Sequence, residues 1–134
     1  MIFNQLNIKS PKREILIDIS NEINNLVKKS GIREGFCRVF VPHTTAGITI
    51  NENADPAVKE DIIKYLRKII PKNYEFSHLE GNSDAHIKTS LIGNALDVLI
   101  HEGELVLGTW QGIMFAEFDG PRNRKIYVQI QGKK

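Results

Sequence analysis

Three of the four histidines in this chain lie in unusually polar stretches. His43 follows an apolar run and a proline, and two threonines come directly after it in PHTTAG. His78 and His86 bracket the loop HLEGNSDAH, which is rich in acids and amides. Neutral imidazole is the commonest metal ligand and the usual general base near pH 7. We therefore predict that at least two of these three histidines share one site, as metal ligands or as acid–base groups.

The same histidines also allow a structural interpretation. A single histidine is more often a half-buried hydrogen-bonding residue than a ligand. The seven residues between His78 and His86 match no compact metal signature such as HExxH. His101 lies in the hairpin-like turn DVLIHEGE and is predicted to be a surface residue. If the histidines are structural, their substitution lowers the stability of the protein but leaves the binding of every ligand intact.

Hydroxyl, amide and carboxylate groups next to His43 extend the candidate site. Thr44 and Thr45 can donate to an anion, although threonine is also common in strands because it suits a pleated surface. Glu52 and Asn53 end the following strand and have no evident structural role, so we predict that they contact a substrate. Asp55 precedes a proline and is explained by helix capping.

The stretch GTWQGIMFAEFDGPRNRK is the second one dense in functional groups. Glu117 interrupts an apolar strand, so it lies either on the solvent face or in a cleft. Arg122 and Arg124 follow a turn, and their planar donor forks suit phosphate or carboxylate. The alternative interpretation is that both arginines are solvated residues of the turn and bind no ligand. Trp110 is predicted to be a core residue.

Three helices are expected to position these groups. The first spans Ile19 to Val27, with Ser20 as N-cap and Gly31 as its end. The second opens at Asp55-Pro56, since aspartate caps a helix and proline fits its first position, and it ends at Pro71. The third runs from His86 to Leu96. The residues predicted to face inward are Ile19, Ile23, Leu26 and Val27, then Val58, Ile62, Tyr65, Leu66 and Ile69, then Ile87, Leu91, Ile92 and Leu96.

The remaining apolar segments are predicted to be strands, with several short, hairpin-length connections between them. They are Met1–Ile8, Arg13–Ile19, Phe36–Val41, Gly47–Asn51, Val98–Ile100, Leu105–Leu107, Ile113–Phe118 and Lys125–Ile130. No linker or repeat divides the chain. The sequence therefore predicts one α+β domain over residues 1–134, built on mostly antiparallel sheet.

Composition excludes several classes of function. The 18 basic and 16 acidic residues give a net charge of +2, too balanced for a nucleic-acid partner. The single cysteine, Cys37, lies in an apolar run and is expected to be a buried thiol in a reducing cytoplasm. We see no signal peptide and no apolar run of the ~20 residues that a membrane helix requires. No P-loop or dinucleotide fingerprint indicates a nucleotide cofactor.

Together these motifs resemble the YjbQ family. PHTTAGITINENADP, HLEGNSDAHIKTSLIG and GELVLGTWQGIMFAEFDGPRNRKIYVQIQG occur in the order of that family and cover nearly the whole chain. The resemblance implies an α+β domain, a two-sheet sandwich with about three helices, assembled as a homotrimer. It also implies the activity that the family is labelled with, that of a secondary thiamine-phosphate synthase.

The resemblance makes His43 and His86 the principal site residues and His78 the third histidine. Asn82 and Asp84 belong to the same loop motif, and Glu117 and Arg122 to the last one. The predicted catalytic residues are His43, Asp84, His86 and Glu117. The predicted substrate contacts are Thr44, Thr45, Glu52, Asn53, Asn82 and Arg122, and the predicted metal ligands are His43, His78 and His86.

Two functions follow from this set. The first is an enzyme acting on a phosphorylated small molecule, in which arginine or a cation neutralises a leaving diphosphate. Three histidines favour a zinc-like transition metal over magnesium, which prefers oxygen ligands. A metal-assisted hydrolase or lyase therefore fits the residues as well as a synthase does. The second function is a non-catalytic trimeric module that binds a phosphometabolite or a metal.

Overall fold

The computed structural model describes residues 2–134, so that Met1 of the first predicted strand lies outside the described part. Over these residues the chain forms eight strands and three helices. The strands are β1 (Ile2–Lys9), β2 (Ile15–Asp18), β3 (Glu34–Phe40), β4 (Ala46–Glu52), β5 (Ala95–His101), β6 (Glu104–Leu105), β7 (Gln111–Glu117) and β8 (Asn123–Lys133). The helices are α1 (Ser20–Ser30), α2 (Pro56–Ile69) and α3 (Ser83–Ile92).

The strands form two antiparallel sheets. One sheet has five strands in the order β1-β8-β3-β5-β6, and the other has three in the order β2-β7-β4. This arrangement confirms the predicted α+β class and the two-sheet sandwich with three helices. No helix within residues 2–134 combines the length and apolar character needed to cross a lipid bilayer.

Two apolar cores hold these elements together. The larger core lies between the sheets and under α1, where Ile23, Phe115 and Val128 are fully buried. Cys37 is buried in the same core, as predicted. The smaller core lies on the other face of the three-stranded sheet, where Met114 packs below α2 and α3. Successive residues of β7 thus face different cores, because side chains alternate along a strand.

The ends of α1 and α2 follow the expected chemistry with one exception. Gly31 ends α1 at a φ of 74°, a left-handed conformation that glycine adopts without strain. The Asp55 carboxylate accepts a hydrogen bond from the Ala57 N–H at 2.9 Å and so caps α2. Ser20, predicted as the N-cap of α1, is instead its first helical residue. Its hydroxyl accepts from the Ile113 N–H at 2.8 Å and thereby joins α1 to β7.

The buried faces of α2 and α3 differ from the prediction. Ile63 is the buried residue of α2, whereas Tyr65 is 61% exposed. Helix α3 spans Ser83–Ile92 rather than the predicted His86 to Leu96, because the chain leaves the helix at Gly93 and Leu96 already belongs to β5. The helix turns its polar side inward. Lys88 is 0% exposed, while Leu91 is 64% exposed. Ion pairs described below stabilise this orientation. Trp110, predicted in the core, is 63% exposed.

Candidate functional site

A cavity of about 410 Å³ forms where three chain segments meet. These are the loop after β3, the segment that leads into α3, and the turn between β7 and β8. The cavity brings together seven of the predicted site residues, which are His43, Thr44, Thr45, His78, Asn82, His86 and Arg122. We refer to it as the histidine pocket. It also contains Asp119, which the sequence analysis missed and which only the turn sequence DGP could have indicated.

His43 is fixed by the backbone of β8. Its Nε2 atom accepts a hydrogen bond from the Lys125 N–H at 2.9 Å. In the neutral ring the proton therefore resides on Nδ1, which becomes a hydrogen-bond donor. Burial, together with the positive charge of Arg124, lowers the pKa of His43 below 6.5. His43 is thus uncharged at neutral pH.

His78 and His86 are neighbours in the pocket, with ring centroids 5.5 Å apart and the rings perpendicular. The Nε2 atom of His78 lies 3.9 Å from the Glu80 carboxylate. Within residues 2–134, no three His, Cys, Asp or Glu side chains are arranged to hold a metal. The Nε2 atom of His43 is also already engaged. The residues present do not fit a preformed three-histidine centre, and the metal stays a prediction.

A buried ion pair of Glu117 and Arg124 supports the pocket from between the sheets. Arg124 Nε donates to Glu117 Oε1 at 2.8 Å, and Arg124 Nη2 donates to Glu117 Oε2. The Ser10 hydroxyl donates to the same carboxylate at 2.7 Å. Burial alone would raise the pKa of Glu117, but these donors outweigh it and hold the pKa below 4.5. Glu117 is therefore a charged, fully bonded support and does not itself line the pocket.

Arg124 reaches the pocket surface beside His43. Its Nη2 atom donates to the Thr45 hydroxyl at 2.9 Å. It thus ties the loop after β3 to β8.

Asp119 organises the opposite wall of the pocket. Its carboxylate accepts from Asn82 Nδ2 at 2.8 Å and from Arg122 Nη2 at 3.0 Å. The carboxylate fixes the orientation of the Asn82 amide, because only the NH₂ group can donate to it. The Asn82 Oδ1 atom is then left buried without a hydrogen-bond partner. The Arg122 side chain is 52% exposed and can turn toward a ligand.

Besides Glu117, the structure separates three predicted site residues from this pocket. Asp84 lies on a different face of α3 from His86 and is completely buried against Arg13 and Lys88, at 3.0 Å and 2.8 Å. Glu52 and Asn53 lie at the far end of β4, where the Asn53 N–H donates to the Trp110 carbonyl. At ~3.3 Å per residue, a seven-residue strand carries them about 20 Å from the loop that holds His43.

Comparison with known proteins identifies the family. The family model of the UPF0047 protein YjbQ-like family matches residues 4–133. The UPF0047 protein MJ1081 of Methanocaldococcus jannaschii is 59% identical, with 95% of this chain and 92% of that protein covered. The UPF0047 protein YugU of Bacillus subtilis is 48% identical, with 95% of this chain and 97% of that protein covered.

Two crystal structures share the fold. An uncharacterised YjbQ/UPF0047 protein of Clostridium acetobutylicum has 52% identity and a TM-score of 0.94, covering 96% of this chain and 99% of that one. A protein of unknown function from Sulfolobus solfataricus has 34% identity and a TM-score of 0.94, covering 98% and 97%. The chain therefore belongs to the YjbQ-like UPF0047 family.

Proposed function

We propose that the histidine pocket binds the phosphate of a small molecule and that the protein is an enzyme acting on it. The carrying observation is the convergence of hydrogen-bond donors on one cavity. His43 offers Nδ1–H, and Arg122 offers an exposed guanidinium. The start of α3 lies at the same wall and has no side-chain cap, so its positive dipole end favours an anion.

The proposed reaction transfers a group away from a diphosphate. The synthase reaction implied by the resemblance joins a pyrimidine methyl diphosphate to a thiazole phosphate and expels pyrophosphate. The thiazole nitrogen would attack the methylene carbon as the bond from that carbon to the diphosphate oxygen breaks. Arg122 and the His43 N–H would stabilise the departing pyrophosphate, and His86 would donate a proton to it. Asp84 and Glu117, predicted as catalytic, would act by holding α3 and Arg124 in place. A hydrolase or lyase using the same donors is the rival chemistry.

Turnover of the two phosphorylated substrates, measured alongside binding of inorganic pyrophosphate, tests this proposal. We expect His86→Ala to abolish turnover and His43→Ala to weaken pyrophosphate binding, with folding retained in both. His101→Ala is the matched control, because His101 is exposed and bonds only to acidic residues outside the pocket. If the His86→Ala variant turns over the substrates at the wild-type rate, the assignment of the site is refuted.

A non-catalytic binding module is the second candidate. The hydrogen bonds of the pocket favour this candidate. Glu117 and the Nε2 atom of His43 are both already hydrogen-bonded, so few side chains are left to transfer protons. This candidate predicts pyrophosphate binding by the wild type with no turnover of any phosphorylated substrate. Elemental mass spectrometry of the purified protein decides whether a zinc-like metal is bound. About one metal per chain, lost in His86→Ala, would restore the metal hypothesis.

A homotrimer in the cytoplasm completes the proposal. Tyr65 and Ile69 on α2, with Ile87 and Leu91 on α3, are large apolar side chains exposed in the single chain. Exposed apolar surface of this kind is typical of interaction sites. Light scattering coupled to gel filtration should give three times the chain mass of 15.2 kDa. A monomer at micromolar concentration would remove the trimer from the proposal.

A further inference from the structure

A second and larger cavity lies between β2 and α2. Its volume is about 530 Å³, against about 410 Å³ for the histidine pocket. Its apolar floor is formed by Leu16 and Ile63, which are both buried in the smaller core. A cavity of this size with an apolar floor is in the range that accommodates small organic ligands. We refer to it as the lysine groove.

Positive charge surrounds this floor. Lys12 precedes β2, and Lys59 and Lys64 project from α2, so that the cations come from two elements. Over residues 2–134 these three lysines form no ion pair with an acid within 4.0 Å. Glu60 is the one acidic lining residue besides Glu14. Lysines on the solvent side of an ordinary amphipathic helix would point into open water. These three lysines instead border a cavity with an apolar floor.

Glu14 does not reverse this charge, because a buried ionic cluster neutralises it. Its Oε2 atom lies 2.8 Å from Lys88 Nζ, and its Oε1 atom lies 3.0 Å from Arg67 Nε. Asp84 and Arg13 complete the cluster, which we call the Lys88 cluster. Three cations and two carboxylates give it a net charge of +1. The groove is therefore positive at its rim and at its base.

We propose that the lysine groove binds an organic anion with an apolar body, such as a medium-chain carboxylate. The hydrocarbon part lies on Leu16 and Ile63, and the contact is favourable because it removes apolar surface from water. The carboxylate lies between Lys59 and Lys64. This site shares no lining residue with the histidine pocket, and the proposal does not depend on the phosphate chemistry there.

A titration of the full-length protein with octanoate, followed by methyl NMR, tests the proposal. We expect saturable shifts of the methyl groups of Leu16 and Ile63, with no shift of Ile48 in the sandwich core. Octanol has the apolar body alone and acetate has the charge alone, so each should bind at least fivefold more weakly. The Lys59→Gln/Lys64→Gln variant should weaken octanoate binding about fivefold, as expected for two exposed ionic contacts.

The control is Lys29→Gln/Lys68→Gln, which makes the same change in net charge at lysines outside the groove. It should leave octanoate binding unchanged. Equal affinities for octanoate and octanol, or no effect of the groove lysines, would overturn the charge recognition. Equal shifts with acetate would make the groove a simple anion site. If octanoate shifts none of the groove methyl signals, the proposal is refuted. Sedimentation would then show whether another copy of the chain covers the groove.

Discussion

The two buried ionic groups of this molecule stabilise different kinds of structure. Glu117 and Arg124 flank one turn, seven positions apart, and lie between the two sheets. The Lys88 cluster draws its members from α2, α3 and the segment before β2. The first group is local and supports the wall of the histidine pocket. The second is assembled from distant parts of the chain and determines which face α3 turns inward.

The comparison shows that a buried ion pair can override the apolar pattern of a helix. Burying Asp84 and Lys88 is costly unless each charge finds a well-placed partner. Arg13 and Glu14 provide those partners at 3.0 Å and 2.8 Å. With the polar face fixed inward, Ile87 and Leu91 must point outward. The histidine pocket depends on this orientation, because His86 lies on the same helix.

Acid should produce the largest effect, because it discharges both groups. Burial would raise the pKa values of Glu14, Asp84 and Glu117, but their cationic and hydrogen-bonding partners hold them below the ordinary values of 4.5, 3.8 and 4.5. Above pH 4.5 the resulting stabilisation is fully present. Below it the unfolded chain takes up protons first, so the free energy of unfolding should fall steeply. Urea titrations from pH 6 to pH 3 measure this fall, and a flat profile would contradict the ionised clusters.

Lys88→Met should be the most damaging single substitution. It leaves the carboxylates of Glu14 and Asp84 buried without their shared cation, at an expected cost of about 3–5 kcal/mol. Lys68→Met, at an exposed position of α2, should change the free energy of unfolding by less than ~0.5 kcal/mol. Chemical denaturation measures both. Equal effects for the two variants would show that the Lys88 cluster contributes nothing specific.

Arg124→Lys should have an intermediate effect. It keeps the charge but loses the two-pronged contact with Glu117, at a cost of about 2 kcal/mol. Arg13→Lys makes the same change in the other cluster, where the arginine side chain is partly exposed, and should cost less than ~1 kcal/mol. Thermal unfolding of the pair measures the difference. The reverse order would show that the Glu117 pair is the weaker of the two.

Thr45→Val should have the smallest effect. It removes one hydrogen bond to Arg124 without changing the shape of the side chain, at a cost of about 1 kcal/mol. Thr44→Val, at the exposed neighbouring position, is the matched control and should be neutral. Denaturant midpoints resolve a change of this size. An unchanged midpoint for Thr45→Val would mean that Glu117 and the Thr45 carbonyl hold Arg124 without the hydroxyl.

Local signals in the sequence predict much of the fold. Gly31, Asp55 and Pro56 define helix ends because each acts on its own neighbouring backbone. The polar stretches PHTTAG and HLEGNSDAH predict that His43 and His86 share a site, and both line the histidine pocket. The inverted face of α3 could not be predicted, since Asp84 and Lys88 are polar in the sequence and their partners, Arg13 and Glu14, lie about 70 positions away.

The same limit explains the misplaced substrate residues. Glu52 and Asn53 follow directly on the strand that begins near His43, so they are close to it along the chain. A strand separates its two ends by its full length, and β4 carries both residues away from the pocket. The prediction that Trp110 is a core residue is wrong, since its side chain is 63% exposed. Its actual exposure depends on a turn whose packing the sequence does not reveal.

The reactivity of the buried Cys37 thiol reports how often the core opens locally. Burial raises the pKa of this thiol to about 11, and its side chain has no solvent exposure in β3. Because only an exposed thiolate reacts with an alkylating reagent, modification must wait for the sheet to separate locally. The alkylation rate of the native protein, relative to that of the unfolded chain, therefore reports the opening equilibrium at Cys37. No introduced label is required.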